Sequence, residues 1–372
     1  MWEFHLSMAA PTSVWIVIVI VVAAGVAGLG FFTGYEYRGS SAAHPTTVEN
    51  QTLSILAAGT LTSFFPTLAN ETVAANPGTS DPAAAQTYEG SLDVTTAITG
   101  LTSKADVAAV ADYRLIPSLL EPTYASYEVV FASTPEVLVY NSSITAFGGI
   151  GTANWGTVLY SAVTTAGVPP LGVWNASTDP NGYNEIFDMM LQGMLYASGS
   201  VTAVYGHFYS GAPGTFATPN PSVTKLEHES QAASLLKTGV ISAAITYRSY
   251  AIANHLSYVS FEPIVGLASN NSTALADYAG LSTEILSSTG TLTPVHPAPV
   301  LFAATVPLNA PNPALGAAFL HTLISPEGNA TLSANGAFTP IFPAWSNDPS
   351  AVPSVLAPDV TTLPSWASAL LT

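Results

Sequence analysis

Residues 53–75, LSILAAGTLTSFFPTLANETVAA, contain the pattern that decides the fold. The short apolar run 53–57 predicts a buried strand, and Ala58-Gly59-Thr60-Leu61 predicts a turn that leads into a helix. In a strand–turn–helix unit, the first backbone N–H groups of the helix have no partner within the helix, so they point into the turn and can hold an anion. The sequence therefore predicts an anion-binding turn after the first strand.

The same order of strand, turn and helix recurs along the chain. Apolar runs predict strands at 105–109, 128–131, 136–140, 172–174 and 240–246. Helical spacing predicts helices at 92–101, 184–196, 229–237 and 314–324. Alternation of this kind predicts parallel α/β sheets, which bind ligands beyond the carboxyl ends of their strands. A polar turn is predicted at 175–183, and the Gly-, Pro- and aromatic-rich segment 201–220 is interpreted as an irregular insertion.

The composition excludes several classes of protein. The 372 residues include 6 Lys and Arg against 23 Asp and Glu, for a net charge of −17. So few basic residues cannot neutralise a nucleic-acid backbone, which excludes nucleic-acid binding. The absence of cysteine excludes disulfides and thiolate metal sites. Only 8% of the residues are charged, so the side chains that stay positive in acid would repel one another little. We therefore expect the protein to face an acidic exterior, as in an acidophile. The alternative is a neutral surface that reflects no adaptation to pH.

The N-terminal region predicts a membrane anchor. Residues 14–32, VWIVIVIVVAAGVAGLGFF, are an uninterrupted apolar run that a helix would extend over about 28 Å, close to the hydrocarbon thickness of a bilayer. We expect residues 1–13 to be a tail, 14–32 a transmembrane helix or uncleaved signal, and 33–50 a flexible linker. A cleaved signal is the alternative, since the small residues at 40–42 would permit cleavage. Arg38 opposes export by the positive-inside rule, but we expect the folded part to be extracellular because no later segment is apolar enough to span.

No catalytic motif is complete. The chain has no G-x-S-x-G and no phosphate-binding loop, and His228-Glu229 lacks the second histidine of a zinc-protease motif. We therefore expect no enzymatic activity and no cofactor.

Residues 53–343 resemble the archaeal tungstate/molybdate-binding proteins of ABC importers, of the WtpA/ModA type. The resemblance depends on an ordered set of motifs: Ala58–Leu61, Gly90-Ser91, SKADVAAVADYRLIPSLLEP at 103–122, D-P-x-G-Y at 179–183 and ITYRSYAIANHLSYV at 245–259. It implies a two-lobed type II periplasmic-binding-protein fold of the α/β class, here preceded by the transmembrane helix. The expected lobes are 51–136 with 248–345, and 137–247, and the tail 346–372 is expected to pack on the first lobe.

The resemblance also implies the ligand-binding residues. They are Thr60, Ser91, Asp179, Glu229 and Tyr247. Asp179 and Glu229 would contact the molybdenum or tungsten atom directly, which sulfur in sulfate does not allow, and the hydroxyl groups would bind the oxo oxygens. Thr60 stands where the family usually has serine, and Thr178 replaces a neighbouring aspartate.

Taken without the resemblance, each of these residues has a simpler interpretation. Asp179 before proline is typical of a turn or helix cap, and Glu229 of a first-turn helix acid. Thr60 and Ser91 are typical helix caps, and Tyr247 could pack at a hinge.

The sequence thus predicts a monomeric extracellular receptor, held by its N-terminal helix, that passes tungstate or molybdate to the permease and ATPase subunits of an ABC importer. A receptor of the same fold for sulfate or phosphate is one alternative. A cell-surface adhesion or structural protein without a ligand is another. The carboxylate pair separates the first hypothesis from the second, and a nearby permease and ATPase gene would favour either transport hypothesis over the third.

Overall fold

The computed structural model describes residues 51–80, 83–287 and 289–371. In chain order its strands are β1 Gln51–Thr52, β2 Ile55–Ala58, β3 Thr79–Ser80, β4 Gln86–Glu89, β5 Val107–Val110, β6 Val129–Ser133, β7 Glu136–Tyr140, β8 Leu171–Trp174, β9 Tyr209–Ser210, β10 Thr218–Pro219, β11 Thr224–Leu226, β12 Ala243–Tyr247, β13 Tyr258–Ser260, β14 Thr283–Leu286, β15 Leu292–Val295, β16 Leu301–Thr305, β17 Thr339–Ser346 and β18 Val360–Thr362.

The helices lie between these strands. The α helices are α1 Phe65–Ala75, α2 Ser91–Thr99, α3 Trp155–Val163, α4 Pro180–Tyr196, α5 Thr202–Phe208, α6 Ala232–Thr238, α7 Arg248–Ala253, α8 Ser272–Ala279, α9 Pro313–Ile324, α10 Pro326–Ser333 and α11 Ser365–Ser368. Short 3-10 turns lie at Gly59–Ser63, Ala83–Ala85, Thr145–Phe147, Glu229–Gln231, Ala334–Gly336 and Ala357–Asp359, and a π turn at Ile116–Leu120.

The larger sheet has seven strands in the order β18-β17-β6-β16-β5-β2-β4. Its strands β2, β4 and β5 are parallel, whereas β16 is antiparallel to β5 and β6. Both faces of β2 are buried, since Ile55 and Ala57 pack in one core cluster and Leu56 in another. A strand that is covered on both faces needs apolar residues at every position, which explains the continuous apolar run at 53–57.

The smaller sheet has five strands in the order β11-β8-β12-β7-β13. Strands β11, β8 and β12 are parallel, and β7 is antiparallel to both β12 and β13. The prediction of parallel sheets is therefore wrong for β7 of the smaller sheet and, in the larger sheet, for β16 and for β17 with β18. Strand β7 enters directly from the larger sheet without a crossover helix, so nothing forces it to run parallel to its neighbours.

Two connections join the sheets. The chain passes from β6 to β7 through Thr134 and Pro135, and it returns to the larger sheet only after β13. The second connection lies beside the first, since the Glu136 N–H donates to the Gly266 carbonyl at 3.0 Å. Strand β13 pairs with β7 in the smaller sheet, although the predicted division placed residues 248–345 with the larger one. The division into lobes otherwise stays a prediction.

Helix α4 begins at Pro180, earlier than the predicted start at residue 184. Asp179 is its N-cap, with a carboxylate that accepts from the Asn181 N–H at 3.0 Å, and Pro180 takes the first helical position, where its missing N–H is harmless. The predicted polar turn at 175–183 therefore ends at the cap, because Asp-Pro begins the helix.

The segment 201–220 is not irregular. It forms helix α5 and the two-stranded hairpin β9–β10. Val204, Tyr205 and Phe208 are buried and share one helix face, and Val204 packs closely over Gly156 of α3. The apolar spacing of this face was hidden by the flanking Gly and Pro residues.

The C-terminal segment joins the larger sheet, because β18 pairs with β17 and the buried Tyr113 hydroxyl donates to the Ala367 carbonyl at 2.7 Å. In the part of the chain that the structure describes, no helix is both long and apolar enough to cross a membrane. The predicted span 14–32, with its flanks 1–13 and 33–50, lies outside the described residues.

Candidate functional site

Thr60 lies in the 3-10 turn that follows β2, at the carboxyl end of the strand. Its side chain is buried, and its hydroxyl donates a hydrogen bond to Oε2 of Glu229. Thr60 follows a strand of the larger sheet, whereas Glu229 precedes α6 beside the smaller sheet. The contact therefore brings two of the predicted site residues together across the two sheets.

Glu229 is the centre of this group. Its side chain is 3% exposed, and its second oxygen, Oε1, accepts from the hydroxyl of Thr246, the residue before Tyr247. Burial raises the pKa of the Glu229 carboxyl to about 8, and the nearby charge of Asp179 adds to this, while the threonine hydroxyls act in the opposite direction. A carboxyl with this pKa is protonated at neutral pH. It loses its proton readily when a ligand binds the ionised form more strongly than the proton does.

Asp179 combines the role of helix cap with that of a buried acid. Its side chain is 6% exposed, and burial raises its pKa to about 6, although the Asn181 N–H and the charge of His228 lower it. The carboxyl groups of Asp179 and Glu229 thus stand in one desolvated region, where each ionised group opposes the ionisation of the other.

Ser91 is the first residue of α2, and its side chain is 1% exposed. Its hydroxyl oxygen accepts from the Ala111 N–H at 2.9 Å, and it caps no N–H of its own helix. Because a hydroxyl has one proton and two lone pairs, this bond leaves the Ser91 proton free to be donated. The simpler interpretation of Ser91 as a helix cap is wrong.

Gly90, which precedes Ser91, lies at a close backbone contact between the two halves of the site. The Leu92 N–H donates to the Thr178 carbonyl at 3.1 Å, so the start of α2 lies against the residue before Asp179. A Cβ atom on residue 90 would lie 2.2 Å from the Thr178 carbonyl oxygen, far inside contact distance. Only glycine therefore allows this approach.

Tyr247 ends β12, and its side chain is 1% exposed. Its ring packs edge-on against Phe302 at 5.5 Å, but within the described residues its hydroxyl has no hydrogen-bond partner. Burial raises its pKa well above the usual value, and the charges of Glu136, Asp179 and Glu229 add to this. A buried hydroxyl without a partner is costly, so this one is suited to donate to a ligand oxygen.

All five predicted site residues are therefore buried. The structure joins Thr60 directly to Glu229, and it places Asp179 and Tyr247 within electrostatic reach of Glu229. Ser91 reaches this group only through the Gly90–Thr178 contact, and no direct bond links it to the other four. The sequence reasoning missed Thr246 and Gly90, although both are immediate neighbours of predicted site residues.

The group combines ionisable carboxyls with hydroxyl groups. In residues 51–80, 83–287 and 289–371, no three His, Asp or Glu side chains form a cluster suited to a resident metal ion. What the site offers is two carboxyl groups of raised pKa, a buried phenol and the three hydroxyls of Thr60, Ser91 and Thr246. Such groups can donate hydrogen bonds to oxygen atoms, and the carboxyls, once ionised, can bind an electron-poor centre.

Comparison with known proteins places this arrangement in context. The model of a bacterial extracellular solute-binding protein family matches residues 53–337. An uncharacterized solute-binding protein of Methanoculleus marisnigri is 30% identical over 325 residues, covering 83% of this chain and 87% of that one. The molybdate/tungstate-binding protein WtpA of Thermococcus kodakarensis is 28% identical over 259 residues, covering 66% of this chain and 70% of that one.

A solved structure, the periplasmic molybdate-binding protein of Azotobacter vinelandii, superposes with a TM-score of 0.51 at 15% identity. The superposition covers 76% of this chain and 97% of that one. At this identity the likeness concerns the fold alone, which is the type II periplasmic-binding-protein fold expected from the sequence.

Proposed function

Because the chain belongs to the bacterial extracellular solute-binding protein family, we propose that it captures tungstate or molybdate and delivers it to an ABC permease and its ATPase. The single observation that carries the choice of ligand is the buried pair Asp179 and Glu229, in a site to which no Lys or Arg of the described residues contributes a hydrogen bond. The relatives that are molybdate/tungstate-binding proteins support the same choice.

The carboxyl pair favours a ligand with an expandable centre. Two ionised carboxylates in a desolvated cleft would repel a tetrahedral dianion, so a plain anion site built this way would be weak. Molybdenum and tungsten can accept two further oxygen ligands, whereas sulfur in sulfate cannot. Asp179 and Glu229 would then bind the metal centre of the ligand and at the same time exclude sulfate.

The hydroxyl groups complete this site. The Tyr247 phenol and the remaining proton of Ser91 donate to oxo oxygens, and Thr60 donates either to the ligand or to the Glu229 oxygen that it contacts now. The apolar segment 14–32 anchors the receptor in the membrane, with the folded part outside.

A receptor for sulfate or phosphate is the second candidate. The raised pKa of Glu229, about 8, favours it, because a protonated carboxyl can donate a hydrogen bond to any tetrahedral oxyanion. The two candidates therefore differ in whether the carboxyls act as ionised ligands of a metal centre or as protonated donors.

Calorimetric titration of the full-length chain with tungstate, molybdate, sulfate and phosphate separates them. We expect binding of tungstate and molybdate only, and loss of most affinity in Asp179→Asn and Glu229→Gln. Glu71→Gln, the same kind of change on the exposed side of α1, is the matched control and should bind like the wild type. Equal affinity for sulfate, or unimpaired tungstate binding by Glu229→Gln, would overturn the metal-coordination proposal.

A further inference from the structure

A hydrogen bond outside the ligand-binding group also joins the two sheets. The Tyr183 hydroxyl donates to Oδ2 of Asp112 at 2.8 Å. Asp112 follows β5 of the larger sheet, and Tyr183 lies in the first turns of α4, which follows β8 of the smaller sheet. Both side chains are buried, so water competes little for this bond.

Arg114 fixes the acceptor. Its Nε donates to Oδ1 of Asp112 at 2.9 Å and its Nη2 to Oδ2 at 2.7 Å, a two-pronged ion pair. Its third nitrogen, Nη1, donates to the His296 carbonyl at 3.0 Å. This bond ties the guanidinium to the segment that leads from β15 to β16 of the larger sheet. The Asp112 carboxylate therefore presents a fixed oxygen to Tyr183.

The charge state of Asp112 differs from that of the ligand-binding carboxyls. Burial by itself raises the pKa of Asp112, but the charge and hydrogen bonds of Arg114, with the Tyr183 hydroxyl, outweigh burial and hold the pKa below its usual value. The acceptor is thus ionised, and hydrogen bonds to ionised groups are shorter and stronger than those between neutral groups.

Tyr183 lies one helical turn after Asp179, the cap of the same helix. A bond that holds Tyr183 against the larger sheet therefore also holds the start of α4, and with it Asp179 and the Thr178 carbonyl that contacts α2. The position of a ligand-binding carboxyl thus depends on a bond to which the ligand does not contribute.

We propose that Asp112, Arg114 and Tyr183 form a closure latch, a set of positioning residues that keeps α4 seated against the larger sheet and so determines how long a bound ligand stays. The inference rests on the proposed function for its ligand. The latch acts on release more than on capture, because its bond forms only when the two halves are already together.

The experiment compares Tyr183→Phe with Tyr278→Phe in the full-length chain. Tyr278 is equally buried, and its hydroxyl also donates at 2.8 Å, but to the Ile264 carbonyl. Tungstate association and dissociation rates are measured by stopped-flow tryptophan fluorescence. We expect the dissociation rate of Tyr183→Phe to rise about tenfold with an association rate within about twofold of wild type, whereas Tyr278→Phe keeps both rates. Asp112→Asn should repeat the effect of Tyr183→Phe.

A second readout does not need the ligand. Small-angle scattering without added oxyanion should give a larger radius of gyration for Tyr183→Phe than for wild type and Tyr278→Phe. Unchanged dissociation and unchanged radius in Tyr183→Phe would overturn the latch. A wild type that binds no oxyanion would instead overturn the proposed function, and the scattering comparison would still decide the latch.

Discussion

The carboxyl groups of Glu229 and Asp179 carry protons, and these protons must leave before a carboxylate oxygen can bind the metal atom of tungstate or molybdate. Their pKa values, about 8 and about 6, mean that Glu229 is neutral and Asp179 only partly ionised in mildly acidic solution. A carboxyl binds a metal centre only after it loses its proton, so binding and proton release are linked. This linkage distinguishes metal coordination from simple hydrogen bonding to the oxyanion.

We therefore expect tungstate affinity to be highest above pH 8 and to fall about tenfold per pH unit below it, and more steeply below pH 6, where Asp179 is also protonated. Calorimetry at pH 6.5 in buffers of different ionisation enthalpy should report release of about one proton or more per ligand. Glu229→Gln should lose the part of this release that belongs to Glu229. Proton uptake on binding would contradict direct coordination by the carboxyls.

The Tyr247 hydroxyl allows a second test at the level of one residue. Because it has no partner among the described residues, Tyr247→Phe should leave the melting temperature unchanged or slightly higher while tungstate affinity falls about tenfold. Tyr113→Phe is the matched control: its buried hydroxyl donates to the Ala367 carbonyl, so it should lose about 1 kcal/mol of stability and keep its affinity. Thermal melts and titrations of both variants decide the prediction.

Among the secondary-structure elements, the contact between α2 and the loop before α4 determines the geometry of the proposed site. Gly90→Ala would force a Cβ atom into the Thr178 carbonyl oxygen, so we expect the two elements to separate and the affinity for tungstate to fall about tenfold or more. Gly206→Ala in α5 is the control, since its Cβ would lie 4.0 Å from the Thr202 Cβ, an ordinary contact. Titration of both variants tests this, and normal binding by Gly90→Ala would show that the contact is dispensable.

The same two elements show how far the sequence could predict the structure. The strand run at 53–57 and the start of α2 at Ser91 are local patterns, and they were predicted closely. The start of α4 was placed too late because Asp-Pro is typical of both a turn and a capped helix. The need for glycine at position 90 and the bond between Tyr183 and Asp112 had no local signal, because they depend on residues that only the folded chain brings together.

For the whole molecule, buried acids govern how stability depends on pH. Glu136, Glu185 and Asp188 are fully buried, and burial raises the pKa of each well above its usual value. The pKa of Glu128 is likewise raised, to about 8, mainly by burial. Each such group is neutral in the folded chain at a pH where it would be ionised in the unfolded chain.

For a carboxyl whose pKa is raised on folding, stability is greatest below the unfolded value, about 4, and is lost as the pH rises through the folded value. We therefore expect the melting temperature to be higher at pH 4–5 than at pH 9, by about 5 °C or more. Asp188→Asn should flatten the curve, because the buried Asp188 carboxyl lies beside Glu136 and its charge opposes the ionisation of Glu136, whereas an amide cannot ionise. Thermal melts across this range test the prediction, which a rise in melting temperature from pH 5 to pH 9 would contradict.

The threonine contacts of Glu229 have a consequence for any partner that reads the shape of this receptor. Thr60 follows β2 of the larger sheet and Thr246 lies in β12 of the smaller one, so Glu229, which contacts both, is itself a clasp between the two halves. A ligand that takes over these oxygens exchanges one clasp for another, and the outline of the receptor changes less than if the ligand alone drew the halves together. A transporter that binds the closed form would then discriminate only weakly between the ligand-bound and the ligand-free receptor. Its ATPase would hydrolyse some ATP without transporting a ligand. Weakening the clasp by Thr60→Val should sharpen that contrast, because the Thr60 bond is the one that joins the two halves.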